Sequence, residues 1–282
     1  MSQVDLHIHS TASDGKFSPE AIVGKAAELG LKVISLTDHD TVDGIIPAIK
    51  ATKAFPRLRF IPGVEISTDV PDGEIHVLGY FIDYTRKELG DSLKRFRTSR
   101  EGRARGMVAR LAELGIVIDW QRVQEIAGDG AIGRPHIAEA MLEKGYITTF
   151  KEAFDKYIGR GGPAYVEREK MTPEEAVALV IRFGGLPVLA HPSTVKETET
   201  WVTKLKAVGL AGIEAYYKDN TAAETEATLG LAEKYGLIAT GGTDYHGIGD
   251  SSEVMLGGVE VPLEAAEQLI AAAKLAQKPA NL

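Results

Sequence analysis

The chain contains no cysteine, so disulfides and thiolate metal sites are both excluded. Any bound metal is left to histidine, aspartate and glutamate, a ligand set that suits Mn, Fe, Zn or Mg better than thiophilic ions. No stretch approaches the roughly 20 apolar residues of a membrane span. The opening Met1-Ser2-Gln3-Val4-Asp5 has neither a basic region nor an apolar run, so no secretory signal is expected. A cytoplasmic protein without membrane contact is the resulting expectation. Positive charge is also short, with 32 Lys+Arg against 40 Asp+Glu and a net charge of −8. That balance argues against broad binding to duplex nucleic acid.

What remains is an ordinary globular composition, 44% hydrophobic and 26% charged over 282 residues. This length suits one large domain or one domain carrying a substantial insertion. Short apolar runs alternate with amphipathic helical patterns. Strands are expected at Val4–His9, Lys32–Leu36, Leu58–Ile66, Ile75–Phe81, Leu186–Ala190, Ala211–Tyr216 and Leu237–Thr240. Helices are expected at Pro19–Leu29 with Ser18 as N-cap, Val42–Ala54, Pro173–Arg182 with Thr172 as cap, Thr200–Val208, Ala222–Tyr235 and Leu263–Ala276. The alternation predicts an α/β fold with a parallel sheet and helical crossovers, of the TIM-barrel type with fewer than eight units.

Residues 86–174 break this rhythm, with helical periodicity and no convincing buried strand. They hold 17 Lys+Arg against 14 Asp+Glu, while the rest of the chain is acidic. The expected organisation is a barrel formed by residues 1–85 and 175–282, with a helical subdomain at 86–174 acting as a substrate lid. A basic segment in an acidic protein can steer an anionic substrate, although a solvated helical face explains the charge equally well.

Six of the seven histidines occupy telling positions. His7 and His9 are two apart on the first strand, so both face one side, with Cβ atoms roughly 7 Å apart. Asp14 follows in the loop, and Asp38-His39-Asp40 follows the second strand. Glu65 ends the third strand and His76 lies in the next. His191 follows the strand Leu186–Ala190, and Asp244-Tyr245-His246 follows Leu237–Thr240. These groups recur at strand C-terminal ends, where barrel enzymes build their sites. Each one alone is readily a hydrogen-bonded core or loop residue. The set would need independent coincidences at one rim, so a metal site is predicted.

These residues also resemble a known family. Asp5-Leu6-His7-Ile8-His9-Ser10, Thr37-Asp38-His39-Asp40, Leu189-Ala190-His191-Pro192 and Thr243-Asp244-Tyr245-His246 are similar, in order, to the four motifs of the PHP (polymerase and histidinol phosphatase) phosphoesterases. They span nearly the whole chain. The resemblance implies a distorted (β/α)7 barrel, TIM-like, and three divalent ions, Mn2+ first, with Zn2+ or Fe2+ as alternatives. His7, His9, Glu65 and Asp244 would hold one ion, and Asp14, His39 and His246 a second. Glu65 as a bridge, with His76 and His191, would hold the third. Asp14 stands where many relatives have histidine. Asp38 and Asp40 would orient imidazoles. Such a site implies attack by a metal-bridging hydroxide on a phosphate ester. No nucleophile elbow is present to suggest covalent catalysis.

For substrate contact, Gly133-Arg134-Pro135-His136 sets an arginine before a proline-initiated helix, and Gly159-Arg160-Gly161-Gly162 a second in a glycine-rich loop. Both resemble the family subgroup that removes phosphate from 3′,5′-nucleoside bisphosphates and trims short RNA from its 5′ end. Arg134, Arg160 and His136 are therefore candidate substrate residues, with helix capping and surface pairing as the plain alternative. A nucleotide or short oligoribonucleotide is the expected partner, and a monomer suffices. The arginines at 95, 97, 100, 103, 105 and 110 read as a solvated face or an oligonucleotide path, and Tyr165 as core or as a base-stacking ring. Gly128–Gly133 matches a dinucleotide fingerprint but follows a helix, which argues against it. The rival readings are a histidinol phosphatase, an amidohydrolase-type C–N hydrolase, and a non-catalytic metal module.

Overall fold

The computed structural model describes residues 2–70, 73–128, 132–167, 171–249 and 253–276, without the side chains of Asp69, Arg97 and Arg100. The chain forms two compact units, Met1–Asp91 with Met171–Leu282, and Ser92–Lys170. In chain order the elements are β1 (Val4–Asp5), α1 (Pro19–Glu28), β2 (Val33–Leu36), α2 (Ile45–Thr52), β3 (Arg59–Val70) and β4 (Gly73–Tyr80). Helices α3 (Lys87–Glu113), α4 (Trp120–Ala127), α5 (Arg134–Glu143) and α6 (Phe150–Ala153) follow. The series ends with α7 (Pro173–Arg182), β5 (Leu186–Leu189), α8 (Thr198–Ala207), β6 (Gly212–Tyr217), α9 (Ala222–Tyr235), β7 (Ile238–Gly242) and α10 (Leu263–Ala276).

The first unit is a nearly closed seven-stranded barrel with strands in sequential order. Capping chemistry sets several helix starts. Ser18 Oγ accepts from the Ala21 N–H. Thr172 and Thr221 form reciprocal boxes with Glu175 and Glu224, each satisfying two otherwise orphaned N–H groups.

The sheet is not wholly parallel, contrary to the sequence expectation. β4 runs antiparallel to both β3 and β5, while the other pairs are parallel. Only two residues separate β3 from β4, too few for the crossover that parallel pairing requires. The two strands therefore form a hairpin, with Glu65 opposite Leu78 and Ser67 opposite His76.

The first strand is also shorter than expected. Its ladder to β2 covers Val4–Asp5, and residues 6–9 instead close the barrel against the last strand. The Leu6 N–H donates to Gly241 O at 3.1 Å, and the His9 N–H to Tyr245 O at 2.9 Å. The buried carboxylate of Asp5 clamps this seam. It accepts from the N–H groups of His7 (3.3 Å), Thr243 (3.0 Å) and Gly257 (2.9 Å), and from the Thr243 hydroxyl (2.6 Å). Burial pushes the Asp5 carboxyl up from its ordinary range, and these hydrogen bonds oppose that shift.

Among the described residues, two hydrophobic clusters pack within the barrel unit. One joins Val4, Leu6, Ile61, Leu78 and Val188 to Ala266 and Leu269 of α10. The other packs Ile22, Val23 and Ala26 of α1 against Ile34 and Leu36 of β2. The second unit has its own core, including Met107, Leu111, Val123, Ile137, Met141, Ile158 and Tyr165. No strand occurs among its described residues. Leu114, just after α3, is 47% exposed. None of the described helices is long and apolar enough to cross a membrane.

The Asp5 clamp makes a direct prediction. Asp5→Ala leaves three buried N–H groups and a hydroxyl without their acceptor. Unfolding free energy should fall by at least about 3 kcal/mol, or roughly 6 °C or more in melting temperature. Urea and thermal denaturation of metal-free protein check this, and an unchanged midpoint would remove Asp5 from its role at the seam.

Candidate metal centre

Residues from six strands and their following loops meet at one rim of the barrel unit. His7 and His9 extend from β1, His39 follows β2, Glu65 lies on β3, and His191 follows β5. Asp244 and His246 follow β7, and Asp14 comes from the loop before α1. His76 arrives differently from the sequence expectation. Because β4 is reversed, the first half of that strand, not its end, lies beside the C-terminal part of β3. Asp40, His191 and Asp244 adopt left-handed backbone, with φ of 51°, 28° and 48°. Such strain costs about 1–3 kcal/mol per residue and persists only where the surroundings impose it.

Glu65 lies at the centre, 1% exposed. Its Oε2 lies 3.3 Å from His7 Nε2, 3.2 Å from His9 Nε2 and 3.1 Å from His39 Nδ1. Its Oε1 lies 2.8 Å from His76 Nδ1 and 3.1 Å from His191 Nε2. Asp244 Oδ1 approaches His9 Nε2 at 3.1 Å and His7 Nε2 at 3.5 Å. Asp14 faces His246 Nε2 at 3.4 Å, His9 Nδ1 at 3.7 Å and His39 Nε2 at 3.8 Å.

Three donor groups have ligand atoms within 4.8 Å of one another: His7, His9, Glu65 and Asp244; His9, Asp14, His39 and His246; and His39, Glu65 and His76. The first is the set expected for one ion. The second adds His9 to the expected trio. The third contains His39 where His191 was expected, although His191 also rests on Glu65.

The donor chemistry fits divalent cations. His7 Nε2, both ring nitrogens of His9, Asp14 Oδ1, Glu65 Oε2 and His76 Nε2 are buried with no hydrogen-bond partner. Concentrated buried polar atoms without partners are costly, and a cation with oxygen and imidazole ligands satisfies them together. Tautomers are fixed from outside. The Nδ1–H of His7 donates to Glu214 Oε1 at 2.9 Å, and the Nδ1–H of His246 donates to Asp244 O at 2.9 Å. In both rings Nε2 is thereby turned toward the carboxylates and is the nitrogen available to a cation once the ring is neutral.

Glu214 escaped the sequence reading. It is fully buried on β6 and also accepts the His191 backbone N–H at 2.7 Å. The available signal was an acid between Ile213 and Ala215 in an otherwise apolar strand. Tyr217 and Lys218, both bonded to Asp244, were likewise missed. Asp38 requires a correction. Its carboxylate accepts from the Ser10 N–H and hydroxyl and from the Ser13 hydroxyl, at 2.6–2.8 Å. It therefore fixes the loop that leads to Asp14 and orients no imidazole through these bonds. Asp40 accepts from the Ser67 N–H at 3.0 Å, which ties the His39 loop to β3.

The electrostatics of the metal-free centre follow from this packing. Burial alone would raise Glu65, Asp14 and Asp244. The surrounding imidazoles, His39 first for Glu65 and Asp14 and His7 first for Asp244, hold all three well below the ordinary carboxylate range. Burial likewise opposes charge on His9, but Asp244 and Glu65 outweigh it and lift that ring to about 10. His7 and His191 are raised for similar reasons.

The substrate candidates all lie in the second unit. His136 is buried, and its Nδ1 accepts the Gly133 N–H at 3.0 Å, a capping role. The Arg134 guanidinium lies over the Phe154 ring, 5.5 Å from its centroid. Arg160 is 3.9 Å from Glu167. The glycines flanking Arg160 have an internal cause: a Cβ on Gly159 or Gly162 would collide with the carbonyl of Phe154 or Tyr157. Among the serial arginines, Arg103 is buried, Arg105 covers Trp120, and Arg110 donates to the Tyr165 carbonyl. Tyr165 belongs to the unit's core. The element before Gly128 is the helix α4, as the reading against a dinucleotide fingerprint requires. Residues 129–131 of that motif lie outside the described residues.

Comparison with known proteins supplies independent findings. The PHP domain family model matches residues 5–159. The 5′-3′ exoribonuclease Rnm of Salmonella typhimurium is 34% identical over 249 residues, 86% of this chain and 84% of the relative. The 3′,5′-nucleoside bisphosphate phosphatase of Chromobacterium violaceum is 31% identical over 260 residues, covering 89% of each. A crystal structure from Bifidobacterium adolescentis, assigned as a metal-dependent phosphoesterase, superposes with a TM-score of 0.83 at 28% identity and covers 95% of each chain.

Two predictions belong to this geometry. Imidazoles must lose their protons to become ligands, and His9 keeps its proton up to about 10 in the metal-free protein. Metal loading at pH 7 should therefore release protons, and affinity should rise with pH. Calorimetry in buffers of different ionisation enthalpy measures this, and zero proton release would show rings already neutral. Glu214→Gln removes the charge behind His7 and should weaken metal affinity about 10–100-fold, read by competition with a chelator.

Proposed function

The chain belongs to the PHP domain family of metal-dependent phosphoesterases, and on that premise we propose that it removes phosphate from nucleotides. The substrate class is 3′,5′-nucleoside bisphosphates, short 5′-phosphorylated oligoribonucleotides, or both. The observation that carries this reading is the buried Glu65 carboxylate shared by five imidazoles, in a chain similar along most of its length to an exoribonuclease and a bisphosphate phosphatase.

We assign His7, His9, Glu65 and Asp244 to one divalent ion and Asp14, His39 and His246 to a second. Glu65, His76 and His191 take a third. The first set coincides with one grouping of donor atoms, the second lies within a grouping that also includes His9, and the third shares Glu65 and His76 with a grouping that includes His39, with His191 Nε2 3.1 Å from Glu65 Oε1. Mn2+ is the first choice for this mixture of imidazole and carboxylate, with Zn2+ or Fe2+ as alternatives. Bound ions supply Lewis-acid charge for the phosphoryl oxygens and lower the pKa of the attacking water.

The protein's own contribution is preorganisation. Glu214 fixes the tautomer of His7 and the His191 backbone. Asp38 anchors the loop that leads to Asp14, which places a charged carboxylate where many relatives have a neutral imidazole. Donors set in advance need no reorganisation during the reaction. Arg134 and Arg160 are proposed as contacts to a phosphate that does not react, and segment 86–174 as the part of the chain that selects the substrate. His136, already used as a cap, is the weakest of the three candidates.

The test uses metal-free protein reloaded with Mn2+ and offered 3′-phosphoadenosine 5′-phosphate, short 5′-phosphorylated RNA, AMP and histidinol phosphate. Phosphate or nucleotide release from the bisphosphate or the RNA is expected. It should fall more than about 100-fold in His191→Ala, beyond the range for loss of an outer partner. Turnover of histidinol phosphate alone would leave the metal centre standing and refute the nucleotide assignment.

A further inference from the structure

β6 ends on Tyr217, and the next residue brings an ammonium to the metal centre. Lys218 Nζ donates to Asp244 Oδ2 and to the Asp244 carbonyl, both at 3.1 Å, and its side chain is 20% exposed. The Tyr217 hydroxyl donates to the same Oδ2, also at 3.1 Å. Asp244 thus presents Oδ1 to His7 and His9 and has its outer oxygen held twice.

The two holders are not equivalent. One neutral donor is enough to orient a carboxylate, and Tyr217 provides it. A cation on the same oxygen draws charge away from a group assigned to hold metal and opposes any nearby positive ion. A site shaped only to retain metal gains nothing from that ammonium. An ammonium also has three N–H groups. Both recorded acceptors are atoms of Asp244, and Lys218 has no other hydrogen-bond acceptor among the described residues. A fixed, partly open positive charge with donor capacity to spare therefore stands at the edge of the His7–His9–Glu65–Asp244 group.

We propose that Lys218 contacts the substrate, its ammonium binding a non-bridging oxygen of the phosphoryl group undergoing hydrolysis. The two neighbours divide the work: the Tyr217 hydroxyl orients Asp244, and the Lys218 ammonium neutralises the arriving dianion. A compact ammonium suits this place because it serves the carboxylate and the phosphoryl oxygen as a point charge. The proposal rests on the phosphoesterase reading.

The test measures inorganic phosphate binding to Mn2+-loaded protein by calorimetry, metal content by elemental analysis, and turnover of 3′-phosphoadenosine 5′-phosphate. In Lys218→Met the phosphate Kd should rise about 10–100-fold, the effect of losing one charge-assisted hydrogen bond. Metal content should be unchanged, and Lys218→Arg should restore most of the binding. Unaltered phosphate affinity in Lys218→Met overturns the proposal. So does loss of metal together with phosphate, which makes Lys218 only a support for Asp244. If Lys218→Met does not fold, Lys218→Gln is judged by the same criteria. A wild-type protein that turns over substrate while Lys218→Met binds phosphate normally sinks this proposal alone. A loaded wild type that neither binds phosphate nor cleaves any ester removes the phosphoesterase reading with it.

Discussion

The carboxylate of Glu65 is taken out of water at the middle of the rim and is met there by imidazoles of His7, His9, His39, His76 and His191. A buried carboxylate without partners is several kcal/mol out of balance, so the surrounding strands must deliver positive charge to it. That requirement constrains register. Side chains alternate with a period of two, so a slip of one residue in β3 or β4 would turn Glu65 or His76 to the opposite face. The strained backbone at His191 and Asp244 is consistent with the same demand, since both residues must face inward immediately after their strands.

Barrel closure serves that centre as much as stability. Residues 6–9 carry two of the imidazoles and also complete the seam with the last strand. Asp5 ties the seam to Thr243, next to Asp244, and to Gly257. The same short run therefore closes the fold and positions the donors. Outside the imidazoles stands a layer of acids and hydroxyls, namely Glu214, Asp38, Ser67 and Thr194, which fixes rings and loops without competing for the central space.

The second unit is a self-contained helical core. Several of its arginines are structurally engaged: Arg105 covers an indole, Arg110 serves a carbonyl, and Arg103 is buried. Positive charge in a sequence segment is therefore a poor guide to an open basic surface, because guanidinium groups also pack and cap.

Much of this was legible in the sequence, for local reasons. The bounds of α7 and α9 follow from caps and 3.6-residue periodicity, both properties of neighbouring residues. The metal-site candidates were legible because His-x-His on one strand face and acids after strand ends are rare in combination. The reversal of β4 was less visible, since apolar alternation looks the same in either direction and the strands were expected to end at Ile66 and begin at Ile75, which hides the two-residue connection between Val70 and Gly73. Glu214 and the Tyr217–Lys218 pair were invisible as site residues, because their roles exist only through partners 23 to 207 positions away. Asp38 was assigned the wrong partner for the same reason: the residue type announced a hydrogen-bond acceptor, and the fold chose the donor. The sequence by itself determined which histidines and carboxylates are available as metal donors. The tertiary structure alone decided which of them share Glu65 and which hold the others in place, because those relations depend on strand direction and barrel closure.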